Sequence, residues 1–233
     1  MEETPESWFD VAVHDAVEVL SAVRALSERG DMTSAEDLLN QAIEQRCGLS
    51  VRALCRLTPE HIWPTLVYAG AIQRPRTVQL AMLLLSHGEL SASDDQVRAA
   101  MCLLVFATDD LTSLDNSVAA PLVDLVERVD LRLLSDDMLC RTLRVLELAG
   151  RIDLAERVLF VWIDRDVRAA FEDAMALYGR LRGHSEAHLV AGGFSSQRVL
   201  DGLDALQEAA GRDRPRRDGV PSGAAGPAIG SST

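Results

Sequence analysis

Apolar residues recur at steps of three and four along most of the chain, which is the spacing of one face of an α-helix. The clearest stripe lies between Asp166 and Leu181, and other stripes begin near Pro5, Ser34, Pro75 and Ser135. Short groups of glycine, serine and aspartate separate the stripes, as expected where one helix ends and the next is capped. Ser34 and Thr58 are expected caps, and Pro64 should kink its helix or start it afresh after Trp63. Phe160 and Trp162 could line a groove, but their helical spacing beside Leu and Val favours the core. The pattern therefore predicts an all-α fold of stacked antiparallel helix hairpins.

Two of the predicted turns resemble one another at an offset of 120 positions. Gly30 is followed by Ala35-Glu36, and Gly150 is followed in the same way by Ala155-Glu156. A glycine can end one helix, and a small alanine lets the second helix approach it closely. This is the turn chemistry of tetratricopeptide-like (TPR-like) helix pairs, although the regular 34-residue period is absent. The echo predicts a TPR-like irregular helical repeat; chance likeness between two helical hairpins is the alternative.

The composition changes near residue 211. We expect residues 1–210 to form a single helical-repeat domain of two diverged halves, about 5–110 and 117–210. Residues 211–233 are rich in Gly, Pro, Ala, Ser and Arg. A segment of this kind buries too little apolar surface to offset its ordering entropy, so a disordered tail is predicted.

Charge narrows the range of partners. The formal net charge is −13, and the tail carries four arginines and two aspartates, which leaves −15 on residues 1–210. A body this acidic repels nucleic-acid backbones and anionic membranes, so neither is an expected partner. The tail arginines, Arg212 to Arg217, would give at most a weak, salt-sensitive attraction to such surfaces. The chain contains no lysine, which excludes Schiff-base chemistry and a P-loop lysine.

The cysteines and the N-terminus indicate the compartment. Cys47, Cys55, Cys102 and Cys140 are far apart and form no C-x-x-C motif, so disulfides are not expected. The sequence begins Met-Glu-Glu, without the basic and apolar stretches of a signal peptide. Its longest uncharged apolar runs are far shorter than the ~20 residues needed to span a bilayer. A cytoplasmic location is expected.

One spacing suggests metal chemistry. His184 and His188 stand at i and i+4, where one helical face can hold a metal, but the motif is not H-E-x-x-H because Glu186 lies two residues from each. A solvent-exposed helix edge is the favoured interpretation. The pairs Asp94-Asp95 and Asp136-Asp137 are interpreted as helix-capping groups, and Asp109-Asp110 as part of a solvated turn. No catalytic residue and no cofactor is predicted, and Gly30, Ala35, Gly150 and Ala155 are assigned structural turn roles.

The order of several short motifs resembles that of a known group of proteins. The motifs are Ala35 to Leu39, Gly48-Leu49-Ser50, Leu57 to Glu60, Ala149 to Phe160, Ala176-Leu177-Tyr178 and Leu189 to Phe194. Together they are similar to an uncharacterised bacterial family of TPR-like helical proteins, over about Trp8 to Glu208. The resemblance implies the fold and the helical repeat, and it carries over no catalytic residue.

These observations favour a non-catalytic protein–protein interaction or scaffold module whose partner is a protein with a basic segment. The alternative is a metal-binding protein or hydrolase that uses His184 and His188. The sequence does not predict the oligomeric state.

Overall fold

The computed structural model describes residues 8–56, 66–68, 71–108, 114 and 116–212, and this part of the chain is almost entirely helical. The helices are α1 (Trp8–Glu28), α2 (Met32–Cys47), α3 (Val51–Leu54), α4 (Arg74–Ser91), α5 (Asp94–Thr108), α6 (Asn116–Arg128), α7 (Asp136–Leu148), α8 (Ile152–Arg165), α9 (Val167–Leu181), α10 (Glu186–Ala191) and α11 (Ser196–Arg212). A 3₁₀ turn, Leu131–Leu133, precedes α7.

A short pair of strands interrupts the helices. β1 (Val67–Tyr68) and β2 (Ala71–Ile72) pair antiparallel, with Val67 opposite Ile72. The sequence pattern predicts a helix that Pro64 either kinks or starts afresh after Trp63, and by Val67 the backbone is a strand. β-branched and aromatic residues favour extended backbone, and this preference prevails here. Residues 57–65, which include the predicted cap Thr58 and the kink at Pro64, lie outside the described residues.

Each half of the fold packs one helix, here called its third helix, against both helices of a hairpin, and packs another, its fourth helix, against the third. In the first half α1 and α2 form the hairpin, α4 packs against both, and α5 packs against α4. In the second half α7 and α8 form the hairpin, α9 packs against both, and α11 packs against α9. Helix α5 also contacts α6 and α7 and so joins the halves. The buried apolar side chains form one cluster from Val23 to Leu206.

The two hairpin turns have the same backbone geometry. Gly30 and Gly150 are left-handed, with φ of +78° and +71°. The N–H of the residue after each glycine donates to a carbonyl in the last turn of the preceding helix, which is a Schellman motif. These bonds are Asp31 N to Leu26 O, 3.0 Å, and Arg151 N to Leu146 O, 2.9 Å. Ala35 and Ala155 are fully buried beneath the turns.

The caps that begin the second helix of each hairpin differ. The N-cap of α2 is Asp31, whose carboxylate accepts from the Ser34 backbone N–H at 3.2 Å. Ser34 was the cap expected from the sequence, and that expectation is wrong because the helix begins three residues earlier than a Ser34 cap implies. The N-cap of α8 is Arg151, which makes no capping bond through its side chain. Its guanidinium instead contacts Asp153 at 3.0 Å.

Only the first two residues of the predicted tail lie in the described part of the chain. Helix α11 runs to Arg212, so it includes the first two residues of the predicted tail. Residues 213–233 lie outside the described part, and their predicted disorder stays a prediction. No helix in the described ranges is both long enough and apolar enough to cross a membrane.

Candidate functional site

The two histidines singled out from the sequence come together, although not on one helix. His184 lies in the turn after α9, where its N–H donates to the Leu181 carbonyl at 3.0 Å. Ser185 caps α10 by accepting from the His188 N–H at 3.3 Å. Both rings are exposed and stack with centroids 4.4 Å apart and planes inclined by 11°. The i, i+4 spacing therefore acts across a helix cap rather than along a helical face.

The histidine pair borders a cleft of about 600 Å³ between α7 and α9, which we call the histidine cleft. Leu148, Ile152 and Leu181 contribute apolar surface to it. At its polar rim, Arg180 donates to both carboxylate oxygens of Glu147 at 2.7 Å each. This hydrogen bonding raises the pKa of Arg180. The cleft thus combines apolar walls with charged groups that are already paired.

The geometry of the histidine cleft does not suit metal binding by the pair. A chelated ion must lie in the plane of both imidazole rings at about 2.0–2.1 Å from each nitrogen, and two nearly parallel, stacked rings have no such common point. Within the residues that the structure describes, no group of three or more His, Cys, Asp or Glu side chains is placed to hold an ion. The histidines in this arrangement can instead offer hydrogen bonds and a flat stacking surface.

Three of the four cysteines have thiols that burial makes less acidic. All four lie in described segments and none forms a disulfide. Burial raises the pKa of the Cys47, Cys55 and Cys140 thiols. For Cys140 the nearby Asp173 carboxylate raises the pKa further. A thiol reacts as its thiolate, and a raised pKa keeps these thiols protonated at neutral pH.

The paired aspartates occupy helix starts and form ion pairs. Asp95 contacts Arg98 at 2.8 Å, and Asp137 contacts Arg141 at the same distance. Asp136 contacts Arg165 at 2.9 Å. These carboxylates support helix termini and do not converge on a common point. Asp109 and Asp110 lie outside the described residues.

A buried ionic cluster holds the second half together. Glu156 on α8 is 4% exposed. It accepts a hydrogen bond from the Tyr178 hydroxyl on α9 at 2.7 Å and another from the Arg198 guanidinium on α11. Arg198 also lies over the Phe194 ring, 4.5 Å from its centroid. The cluster connects three helices, and its carboxylate is fully engaged.

A second cleft, of about 470 Å³, lies in the first half where α2, α3, α4 and α5 meet, and we call it the Glu36 cleft. His87 on α4 is 3% exposed, and its Nε2 is 3.7 Å from the Glu36 carboxylate. Sequence reasoning did not single out His87. The likeness between Ala35-Glu36 and Ala155-Glu156 could have drawn attention to Glu36. It gives no information about α4, the helix that carries His87.

Part of the chain matches a protein family that has no assigned activity. Residues 122–211 match the model of a family of unknown function, DUF6483. The matched region runs from within α6 into α11 and contains the histidine cleft and the Glu156 cluster. The resemblance to an uncharacterised family is confirmed to that extent.

Other comparisons add little. The search of curated proteins gave no match. One solved structure, the DHF58 filament, aligns with 88% of this chain and 96% of its own chain at 23% identity, with a TM-score of 0.26. A TM-score this low does not indicate a shared fold.

Proposed function

We propose that the chain is a non-catalytic protein-interaction or scaffold module that binds a basic segment of a partner protein. The observation that supports this best is the placement of charge. Residues 1–210 carry a net charge of −15, and Glu156 is the only buried carboxylate among those whose exposure the structure describes. The excess negative charge therefore faces solvent, where it attracts basic partners and speeds their association.

The histidine cleft supports the same function. Its volume of about 600 Å³ lies in the range of preformed binding pockets. Because the Glu147–Arg180 pair holds its rim in place, a partner side chain would enter a cleft that needs little reorganisation. Side chains of His184 and His188 are exposed at its edge.

We also infer that the two halves are diverged copies of one TPR-like helix-hairpin unit. Identical Schellman turns at Gly30 and Gly150, with a buried alanine five residues later in each, support this inference. Stacked hairpins present extended surfaces between repeats, and such surfaces commonly bind proteins. The expected cytoplasmic location stays a prediction.

The proposal is tested by affinity capture from the source cells, followed by binding measurements with each captured protein after purification. The bait is the full chain, and the matched control is the same chain with Glu18→Gln, Asp164→Asn, Glu172→Gln and Asp204→Asn, four carboxylates at the surface. We expect affinity to fall about tenfold between about 0.05 and about 0.3 M NaCl, and to be weaker for the control. An affinity that is indifferent to salt and to the four substitutions would contradict the charge argument.

The metal-protein alternative has its own measurement. Metal content and zinc titration are compared between the purified chain and His188→Ala. The stacked geometry predicts equal metal content in both proteins. Stoichiometric metal that disappears in His188→Ala would replace the interaction proposal at this cleft with the metal-binding one.

A further inference from the structure

The Glu36 cleft contains a buried histidine nitrogen without a hydrogen bond. His87 Nδ1 lies 2.7 Å from the Gln96 side-chain oxygen, whereas Nε2 has no hydrogen-bond partner among the described residues. The nearest charged atom to Nε2 is the Glu36 Oε1, at 3.7 Å, which is too far for a hydrogen bond. Glu36 is half-exposed toward the cleft.

The neighbours of His87 decide which nitrogen carries its proton. The Ser91 hydroxyl donates to the His87 carbonyl at 2.7 Å and lies 3.1 Å from the Gln96 side-chain oxygen, which is turned toward the histidine in this structure. With the Gln96 oxygen in this position, a neutral His87 donates from Nδ1 to Gln96, and the lone pair of its buried Nε2 is left without a donor at the wall of the cleft. Nε2 and the Glu36 carboxylate are then two acceptors that face each other, so each requires a donor.

The second half shows how the fold satisfies a glutamate at this position. There the third helix presents a donor, the Tyr178 hydroxyl, and the fourth helix adds the Arg198 guanidinium. Arg198 is the third residue of α11, and Gln96 is likewise the third residue of α5. The guanidinium that engages Glu156 thus has no equivalent on α5, where a neutral amide stands instead.

We propose that the Glu36 cleft binds an arginine side chain of a partner protein, whose guanidinium N–H groups donate to Glu36 Oε1 and His87 Nε2 from beside the pair. This proposal rests on the proposed interaction function and names a site and a residue type for it. A guanidinium offers several N–H donors in one plane together with the positive charge that Glu36 favours. It reproduces in trans the contact that Arg198 makes with Glu156.

The other charged groups of the Glu36 cleft do not account for a preference for arginine. Asp95, Arg52 and Arg56 also line the cleft, and with Glu36 they amount to two negative and two positive groups. Asp95 is already engaged by Arg98. Preference for an arginine therefore comes from the acceptor pair of Glu36 and His87 rather than from the overall charge of the cleft.

The test uses the full chain labelled with ¹⁵N and long-range ¹H–¹⁵N spectra of the His87 ring. N-acetyl-arginine amide is the probe, and N-acetyl-citrulline amide, with a neutral urea in place of the guanidinium, is the control ligand. We expect a saturable shift of His87 Nε2 with a dissociation constant on the order of 1 mM, and none with the citrulline compound. Glu36→Gln should weaken binding by about tenfold, whereas Glu44→Gln, an exposed glutamate on the same helix, should leave it unchanged.

Three results would overturn the proposal. The first is an Nε2 that is already protonated in the free protein, because its N–H would itself point a donor at Glu36. A second is binding that Glu36→Gln leaves unaltered. The third is an Nε2 signal that responds to the probe only after deletion of residues 213–233, which would make the chain's own tail the occupant. A salt-sensitive partner that binds equally to wild type and Glu36→Gln would sink this site alone and leave the proposed function standing.

Discussion

The two halves of the molecule share a turn and differ in what lies against the glutamate that follows it. Glu156 is buried and bonded to Tyr178 and Arg198. Glu36, at the matching position, is half-exposed and faces His87 Nε2 across 3.7 Å. The turn is set by local backbone chemistry, whereas burial of the glutamate is decided by residues on the third and fourth helices. One hairpin unit therefore serves as a closed structural joint in the second half and as an open cleft in the first.

Close packing between the third and fourth helices should show the largest contrast between the halves. A Cβ at Gly202 on α11 would stand 2.6 Å from the Tyr178 hydroxyl oxygen, whereas a Cβ at Gly88 on α4 would meet Val97 at 3.1 Å. Because Tyr178 is buried and cannot move aside, we expect Gly202→Ala to lower the free energy of unfolding by about 3 kcal/mol or more, and Gly88→Ala by about 1 kcal/mol. Chemical denaturation measures both.

Gly179→Ala is the matched control for these substitutions. Gly179 lies within α9, and a Cβ added there would meet no neighbouring atom within 4 Å. The helix propensity of alanine should then raise stability by up to about 1 kcal/mol. Equal losses at Gly202 and Gly179 would show that α11 does not pack against Tyr178 in this way.

The second-largest difference in stability between the halves is expected when each glutamate is replaced by alanine. Glu156→Ala leaves a buried hydroxyl and a guanidinium without their acceptor, and we expect a loss of about 2–3 kcal/mol. Glu36→Ala removes a half-exposed side chain and should change stability by less than about 0.5 kcal/mol. Thermal and urea unfolding of the two variants measure this difference. Similar losses in both would mean that the Glu36 cleft is as closed as the Glu156 cluster.

The turns themselves should respond equally. Gly30 and Gly150 have open space where a Cβ would be, so the cost of alanine is the left-handed backbone alone. We expect Gly30→Ala and Gly150→Ala each to lower the free energy of unfolding by about 1–2 kcal/mol. Denaturation midpoints of the two variants measure this cost. A loss of stability in only one of them would contradict a shared turn geometry.

The helices and the turns could be predicted from the sequence because their causes are local. The apolar stripe from Val167 to Leu181 and the cap at Ser135 depend on neighbouring residues, and each appears where the pattern placed it. Phe160 and Trp162 show the limit of such reasoning. Both were expected in the core, yet Trp162 is 4% exposed and Phe160 is 45% exposed, since the pattern does not state how far neighbouring helices extend around α8.

The candidate sites could be predicted only in part. The spacing of His184 and His188 drew attention to the right segment, but the Ser185 cap between them and the ring stacking come from the fold. The contact of Glu36 with His87 joins two helices distant in sequence, and no motif marks it. This contact depends on how α4 packs against α2, and a short sequence motif carries no information about that packing.

The smallest expected effect concerns the buried hydroxyl of the second half and is seen in its pH dependence. Burial, followed by the hydrogen bond to Glu156, raises the pKa of Tyr178 above that of an unfolded tyrosine, which is about 10. The folded state therefore keeps this proton, and the associated stability is fully present below pH about 10 and is lost as the pH rises further.

At neutral pH, Tyr178→Phe should cost about 1 kcal/mol for the lost hydrogen bond. Above pH about 10 the wild type loses stability that the variant does not, so the two unfolding curves should converge and then cross. Parallel curves from pH 7 to the alkaline limit would show that the Tyr178 hydroxyl is open to solvent, and the second half would then be no more closed than the first.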